Sequence, residues 1–594
     1  MAGTSSCTKE EIVQAYIAPL RSAILVDDGF PRYEQLVNAE KDEESPWIES
    51  KTAARVVNMC HRRSLICDIE NRSSDLLSKE QLERITKSDL VVLDYHLTPK
   101  DDADVLPALA ILDTLAETHH ANLVIVYTKY DLNKALRDVF VRFRGIDQSA
   151  DFPSEYDATD LSEWDPEFDA DTLFKHLAGD RDALKNLIAK ARDDLRRSGV
   201  DQKHFYEVVK AGVELWLRKR YRHVGAPNRA DALDITRSAD DVAVPWIQFK
   251  NVFVAFVSKL DESTDLIDAL ENALLAWNPG VVRIILSYAR SRMQQRGFTY
   301  EQVTAGAADQ QIGLLYHALE SEEPDETVRL RDMLRRLFDS VRRELASDSA
   351  TFGAEIIHDR MSSTPVPPNS TADEKKRYFI ERAREMTRES DSQPVGDEQV
   401  IASLNAFLCS RDFDASHLWA GTVFLDESSK NWWVCVAPTC EIVPRTPKSG
   451  TWQRDLHPSL PMLALRLEVT KKMSVALNEA TQGKHIFVRG PNGVVALRVL
   501  DAIAGHPRPE TLILQDEGRV DADQKFRAYA IVKGAAGEPA LDARTFRVIA
   551  QLRSEYADRF LHQTGHHTSR IGVDFVSLGE PEKITEDVGA AAPA

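Results

Sequence analysis

The sequence predicts an α/β protein: a doubly wound, five-stranded parallel sheet of order 2-1-3-4-5 with a helical insertion, then a helical middle region and a C-terminal β-rich α+β module. Three observations carry this expectation. Short apolar runs alternate with helical stretches through the first third of the chain, as βαβ crossovers require. Those runs are apolar on both faces, the pattern of central parallel strands. The last third holds six strand-like runs, "AGTVFL", "WWVCVAP", "LALRLEV", "KHIFVRG", "VVALRVL" and "RAYAIV".

Strands are predicted at Ala23–Val26, Ser64–Cys67, Leu90–Leu93 and Leu123–Tyr127. Between the third and fourth, Val105, Leu109 and Leu112 fall on one helical stripe. After Tyr127 the alternation breaks. Residues 147–174 are acidic and turn-rich, and helices follow over Arg181–Arg197 and His204–Tyr221. Strand character returns in "PWIQFKNVFVAFVSK", with Val252–Val257 the best fifth strand. Ser263 or Thr264 is placed to cap the next helix, whose Leu266, Ile267, Leu270 and Leu274 share a side. Roughly 130 residues part the fourth strand's end from the fifth's, whereas one crossover unit takes ~30. The first domain is therefore expected to be discontinuous, 1–136 and 245–278, with a helical insertion over 137–244. Such insertions are tolerated because closure entropy grows only logarithmically with length.

Residues 279–362 read as helical, with Leu330, Leu334, Leu337, Val341 and Leu345 on one face. That stripe is either a seam between two copies or the side facing a core. The proline-dense "SSTPVPPNSTADEKK" opens a linker and helix over 363–416. The β-rich module spans 417–594, closing with a helix expected at Asp542–Leu561 and a frayed tail.

At 594 residues the chain exceeds what one core supports. Its 43% hydrophobic and 28% charged content is globular. The formal charge of −20, from 94 acids and 74 bases, disfavours nucleic acid as a main partner. No run approaches the ~18 apolar residues of a membrane span. The N-terminus has no basic start followed by an apolar run, so no secretory signal is expected. Six cysteines (7, 60, 67, 409, 435, 440) form no CxxC. A cytoplasmic protein without a membrane partner is the expectation.

The strand ends carry the chemistry. The first ends in Asp27 and Asp28, the third in Asp94, the fourth in Thr128 and the fifth in Lys259. In a sheet of this order, ligands bind beyond the carboxyl ends at the switch point, so these groups would meet in one crevice. Two carboxylates ~4 Å apart repel by about 4 kcal/mol at an effective dielectric of ~20. Three of them call for a cation, and a hard divalent ion such as Mg²⁺ suits oxygen donors. Metal and ammonium together would neutralise an incoming phosphoryl group, and a carboxylate could attack it to form an acyl phosphate.

This constellation resembles the receiver domain of bacterial two-component response regulators. "DYHLTP" is similar to that family's acceptor turn. The resemblance implies that Asp94 is the phospho-acceptor, and that Asp27, Asp28, Asp94 and the backbone carbonyl of His96 hold Mg²⁺, Asp27 largely through water. It further implies that Thr128 and Lys259 grip the phosphoryl oxygens, that Phe256 is the switch aromatic, and that the partner is a histidine kinase or phosphotransfer protein. Lys129 departs from the pattern, standing where the family has a small residue. It would screen the pocket, add charge or point away. Two longer stretches, "APLRSAILVDDGFPRYEQL" and "LWAGTVFLDESSKNWWVCVAPTCEIV", further resemble a diverged group of long receiver proteins found near histidine kinases in bacterial defence-type operons.

Three readings stay open at this stage: a phosphorelay receiver whose chemistry is at most phosphoryl acceptance and autodephosphorylation, a non-phosphorylated pseudo-receiver acting as an interaction scaffold, and a receiver regulating an effector activity in the C-terminal module. Plainer readings go to other residues. His562, His566 and His567 lack companion ligands at metal spacing, Cys440 lacks an adjacent base, and His317 is a surface histidine. Trp432 and Trp433 are expected on alternate strand faces.

Overall fold

The computed structural model describes residues 6–33, 49–71, 78–97, 104–118, 121–153, 168–229, 233, 235–240, 242–296, 312, 316, 325–362, 364–387, 395–442, 455–500, 506–535 and 537–568. His317, the side chain of Cys440, residues 154–167 of the acidic loop and the C-terminal tail lie outside them. The chain divides into two compact units, one of residues 1–314 and 332–392, the other of 315–331 and 393–594.

The first unit is built on a mixed sheet. In chain order its elements are α1 (Lys9–Ile12), β1 (Ser22–Val26), α2 (Ser50–Arg62), β2 (Ile66–Glu70), α3 (Lys79–Thr86), β3 (Leu90–Leu93), α4 (Leu106–Glu117), β4 (Asn122–Thr128) and α5 (Leu132–Arg144). The insertion adds α6 (Ala170–Leu177), α7 (Arg181–Arg197), α8 (Phe205–Arg220) and β5 (Ile235–Arg237). Then come β6 (Trp246–Phe249), β7 (Val252–Ser258) and α9 (Leu266–Trp277). The strand order is β2-β1-β3-β4-β7-β6-β5. The first five strands are parallel, while β6 and β5 extend the edge antiparallel.

Two faces of this sheet bury different residues of the same strands, as a period of two dictates. Ile24, Val26, Val91, Leu93, Val124, Val126 and Phe256 face α4, α5 and the insertion helices. Leu25, Leu90, Val92, Ile125, Tyr127, Phe253 and Ala255 face α2 and α9. Outside α9 lie α10 (Val281–Arg296), α11 (Asp325–Ser362) and α12 (Ala372–Thr387). Ile284, Phe352 and Ile356 join the second core, and a buried pair, Arg360 Nη2 to Glu11 Oε2 at 2.6 Å, ties α11 to the N-terminal helix. Of the predicted α11 stripe, Leu334 is exposed.

The structure corrects the expectations for this unit in three places. The sheet has seven strands rather than five, because Ile235–Arg237 and Trp246–Phe249 add two antiparallel strands, the second joined to β7 through Lys250-Asn251. That two-residue turn carries none of the Asn-Gly or Asp-Gly signal that marks most hairpins, although Lys250 takes φ of 46°. Strand two runs Ile66–Glu70 rather than Ser64–Cys67. As an edge strand it carries charge: buried Glu70 is held by Arg32 at 2.6 Å and Arg84 at 2.9 Å. The cap of α9 is Asp265, which accepts from the Ile267 and Asp268 amides, while Ser263 and Thr264 donate to Asp261.

The second unit is a six-stranded β-barrel with helical cover. Its elements are α13 (Asp397–Cys409), β8 (Ser410–Arg411), β9 (Thr422–Asp426), β10 (Trp432–Cys435), β11 (Leu460–Val469), α14 (Met473–Asn478), β12 (His485–Gly490), β13 (Gly493–Arg498), β14 (Pro509–Leu514), β15 (Lys525–Lys533), β16 (Pro539–Leu552) and α15 (Ser554–Thr568). Strands β10-β9-β16-β15-β14-β11 close on themselves through the β10–β11 pairing. Phe424, Phe526 and Phe546 meet inside, with ring centroids 5.1–5.4 Å apart. A second cluster, with Phe487 and Phe560, packs α13, α15 and the β12–β13 hairpin on the outside. Trp432 and Trp433 take opposite faces, and both are buried because each face is covered. Residues 542–552 form a strand where the sequence predicts a helix. Phe546 and Val548 point into the barrel, Ala550 and Leu552 join the outer cluster past a register shift, and the helix starts at Ser554.

Removing one partner of a buried ion pair leaves an uncompensated charge, at a cost of about 3–5 kcal/mol. Arg360→Ala is therefore expected to destabilise the first unit by that amount in urea unfolding, whereas replacing both Arg360 and Glu11 with apolar residues costs far less.

Candidate functional site at the carboxyl edge of the sheet

Register sets the site. Val26 pairs with Leu93 across β1–β3, and the ladder continues one residue on, the Asp94 amide donating to the Val26 carbonyl at 2.8 Å. The Asp27 amide likewise donates to the Glu70 carbonyl at 3.0 Å. Thr128 stands level with Ser258 across β4–β7, and the Lys259 amide donates to the Thr128 carbonyl at 2.8 Å. Asp27, Asp94, Thr128 and Lys259 are thus the first residues past, or the last within, four adjacent parallel strands. The edge brings the side chains of Asp27, Asp94 and Lys259 into contact, with Thr128 at the neighbouring strand end.

Lys259 is the centre of the arrangement and is almost wholly buried. Its Nζ lies 2.6 Å from Asp27 Oδ2, 2.5 Å from Asp94 Oδ2 and 3.2 Å from Glu49 Oε2. The rings of Phe30 and Tyr127 sit 5.2 and 5.9 Å from the same nitrogen. Burial alone would drive this ammonium toward neutrality, but Asp27 and Asp94 outweigh it and raise its pKa above that of an ordinary lysine. Asp27 is pushed up to about 7, first by burial and then by Asp94 and Glu49, against the pull of Lys259. Asp28 is raised too, by burial and by Asp94. The upward shifts share one origin: a desolvated pocket holding more carboxylates than ammonium groups.

Asp27, Asp28 and Asp94 each offer one oxygen, and the three oxygens lie within 4.8 Å of one another. Hard, anionic, closely spaced oxygens are the donor set of a divalent cation that keeps part of its water shell, so these residues could hold a metal. His96 lies two residues past Asp94, and its amide reaches back to Asp94 Oδ1 at 3.4 Å. Thr128 is buried, and its Oγ1 accepts from the Tyr130 amide at 3.2 Å, leaving its own proton free to donate. Phe256 is away from the crevice, fully buried in the core on the α4–α5 side.

Lys129 bends toward the pocket mouth, where its Nζ pairs with Oε1 of Glu49. Glu49 was not legible as a site residue. It is separated from Asp28 by a long connection and belongs to no motif. The one available signal is its place just ahead of α2, since a helix following β1 must start over the carboxyl edge. Gly29 leaves room there, because a Cβ would stand 3.3 Å from Asp27 Oδ1 and 3.5 Å from Glu49 Cγ. Beside Asp94, buried Tyr95 donates its hydroxyl to Asp138 of α5 at 3.2 Å, and Asp138 meets His223 of the insertion at 3.1 Å.

A cation binds the ionised form of Asp27, so below its folded pKa of about 7 it must displace a proton. Mg²⁺ affinity is expected to rise from about pH 6 to about pH 8 and then level off, with proton release on binding at the lower pH. The other charged groups facing Asp27 are Asp28, Asp94, Glu49 and Lys259. Without the cation, the folded state holds a proton that the unfolded chain has lost, so the contribution of this group to stability falls as pH rises from about 4 to 7. Calorimetric titration in two buffers of different ionisation enthalpy reads the first effect, and thermal melts across pH read the second. Asp27→Asn flattens both.

A family model described as the response receiver domain matches residues 19–172. That span contains Asp27, Asp28, Asp94 and Thr128, and it ends before β7, so Lys259 joins the site through the fold. No curated protein and no solved structure matches the chain. Among the described residues, no helix is long and apolar enough to cross a membrane. Residues 19–172 thus match a response receiver domain and carry its acidic cluster, which implies two-component signalling in general.

Proposed function

We propose that this chain accepts a phosphoryl group on Asp94 and uses it to switch or buffer a two-component signal. The observation that supports this most directly is the Lys259 ammonium shared between Asp27 and Asp94 beside a three-carboxylate cluster. The donor is a phosphohistidine on a histidine kinase or phosphotransfer protein. An Asp94 oxygen attacks phosphorus, the P–N bond breaks, and the imidazole leaves with the bonding pair and takes a proton from solvent. Lys259 shifts its hydrogen bond from Asp94 to a phosphoryl oxygen, and the Thr128 hydroxyl donates to another. Asp27, Asp28, Asp94 and the His96 carbonyl would hold Mg²⁺, which when bound offsets the charge of the carboxylates and of the arriving group.

Downstream, Tyr95 and Asp138 link the acceptor turn to α5 and the insertion, and buried Phe256 lies in the core beneath the same helices. A change at Asp94 has a short route into the inserted helices. The resemblance to long receivers of defence-type operons supports a bacterial signalling role, in antiphage defence among others. The rival reading, a non-phosphorylated scaffold, is favoured by the Glu49 carboxylate, which already occupies both lysines.

Incubation with acetyl phosphate and Mg²⁺, read by intact mass, tests acceptance. The expected gain is one HPO₃, about 80 Da, lost in Asp94→Ala and without Mg²⁺. Lys259→Ala is expected to slow acceptance about a hundredfold, the usual cost of removing a charge-stabilising donor. A mass that never changes, even with a cognate kinase, supports the scaffold.

A further inference from the structure

Glu49 sits at an N-cap, where Ser, Thr, Asn and Asp are preferred because their short side chains cap the first amides. It makes no such bond. Its carboxylate instead bridges two ammonium groups, Oε1 to Lys129 and Oε2 to Lys259 at 3.2 Å. The two lysines outweigh its partial burial and hold its pKa below that of an ordinary glutamate. The helix behind it is fastened independently, since Arg55 of α2 bonds the Tyr127 hydroxyl and the Glu262 carbonyl. Those bonds anchor the first turns of α2 to Tyr127 of β4 and to the loop between β7 and α9.

An incoming phosphoryl group is an anion that needs the same cations. We propose that Glu49 is an internal competitor for the phosphoryl group: it pairs with both lysines that would otherwise bind phosphoryl oxygens, and acceptance on Asp94 requires it to swing out. Once released, Lys129 becomes a second phosphoryl-binding cation rather than an obstruction. This inference rests on the proposed acceptance by Asp94. It makes Glu49 a positioning residue that sets how readily a donor phosphorylates the chain. A phosphodonor must displace the carboxylate side chain while α2 itself stays anchored.

The test compares wild type, Glu49→Gln, Lys129→Ala and Asp94→Ala in the full chain, with acetyl phosphate and Mg²⁺, by initial rate of adduct formation. Glu49→Gln keeps the side chain's shape and leaves the Arg55 anchors intact, and matching circular-dichroism melts verify folding. The expected result is roughly tenfold faster acceptance in Glu49→Gln, equivalent to ~1.4 kcal/mol, none in Asp94→Ala, and no gain in Lys129→Ala, where Glu49 still holds Lys259. Equal rates in wild type and Glu49→Gln overturn the competitor while leaving acceptance intact. A gain in Lys129→Ala but not in Glu49→Gln also overturns it, in favour of simple obstruction by Lys129. No adduct in any protein, with or without a cognate kinase, overturns acceptance itself and the competitor with it.

Discussion

The first unit depends on one ammonium group. Lys259 Nζ is what lets Asp27, Asp94 and Glu49 stand together in a pocket largely cut off from water. At ~4 Å and an effective dielectric of ~20, each carboxylate pair costs about 4 kcal/mol, so this edge of the sheet would splay or take up protons without it. The residue comes from the last parallel strand, far along the chain from the acids it neutralises. The site is therefore a product of tertiary structure, complete only when β7 has docked against β4 in its observed register.

That dependence makes the insertion a structural problem, which the chain solves with a second buried charge. Glu214, on α8, takes Arg144 at 2.7 Å and the Asp147 amide at 3.1 Å, where the chain enters the insertion. It takes Arg229 at 2.8 Å, near where the chain leaves. A parallel bridge between Ile146 and Asn228 closes the same neck. Entry and exit are pinned side by side, so the inserted helices pack on α5 without disturbing the return of β7. The antiparallel β5 and β6 then cover what would have been an open edge beside β7, a protection that such edges need.

Much of this was legible in the sequence, and the limits have physical causes. Strands β1, β3, β4 and β7 stood out because strands buried on both faces read as unbroken apolar runs, and four of the five site residues fall within one step of their ends. The second strand was misplaced because Asp68 and Glu70 interrupt its apolar character, their charges being met by Arg84 and Arg32 from elsewhere in the fold. Strand β16 reads in the sequence as the start of a helix, since "DARTFRVIAQL" has good helix formers and only its pairing with β15 and β9 decides the matter. Glu49 was invisible because its role comes from where α2 starts in space, and no pattern within the chain encodes that position.

The charge count of the pocket links the metal to Glu49. Four carboxylates, Asp27, Asp28, Asp94 and Glu49, face two ammonium groups, Lys129 and Lys259. A divalent cation on the three aspartates would balance that excess. Balance alone, however, leaves no unengaged ammonium for an arriving phosphoryl dianion, because Glu49 pairs with both lysines. Only a mobile carboxylate can change this without unfolding the site. Asp27 and Asp94 are fixed by the sheet ladder at strand ends, whereas Glu49 is held by side-chain contacts at the tip of a helix. Of the three acids that touch Lys259, the one outside the sheet ladder is thus the one whose movement would open the site, and its other tie is to Lys129, the residue that departs from the receiver pattern.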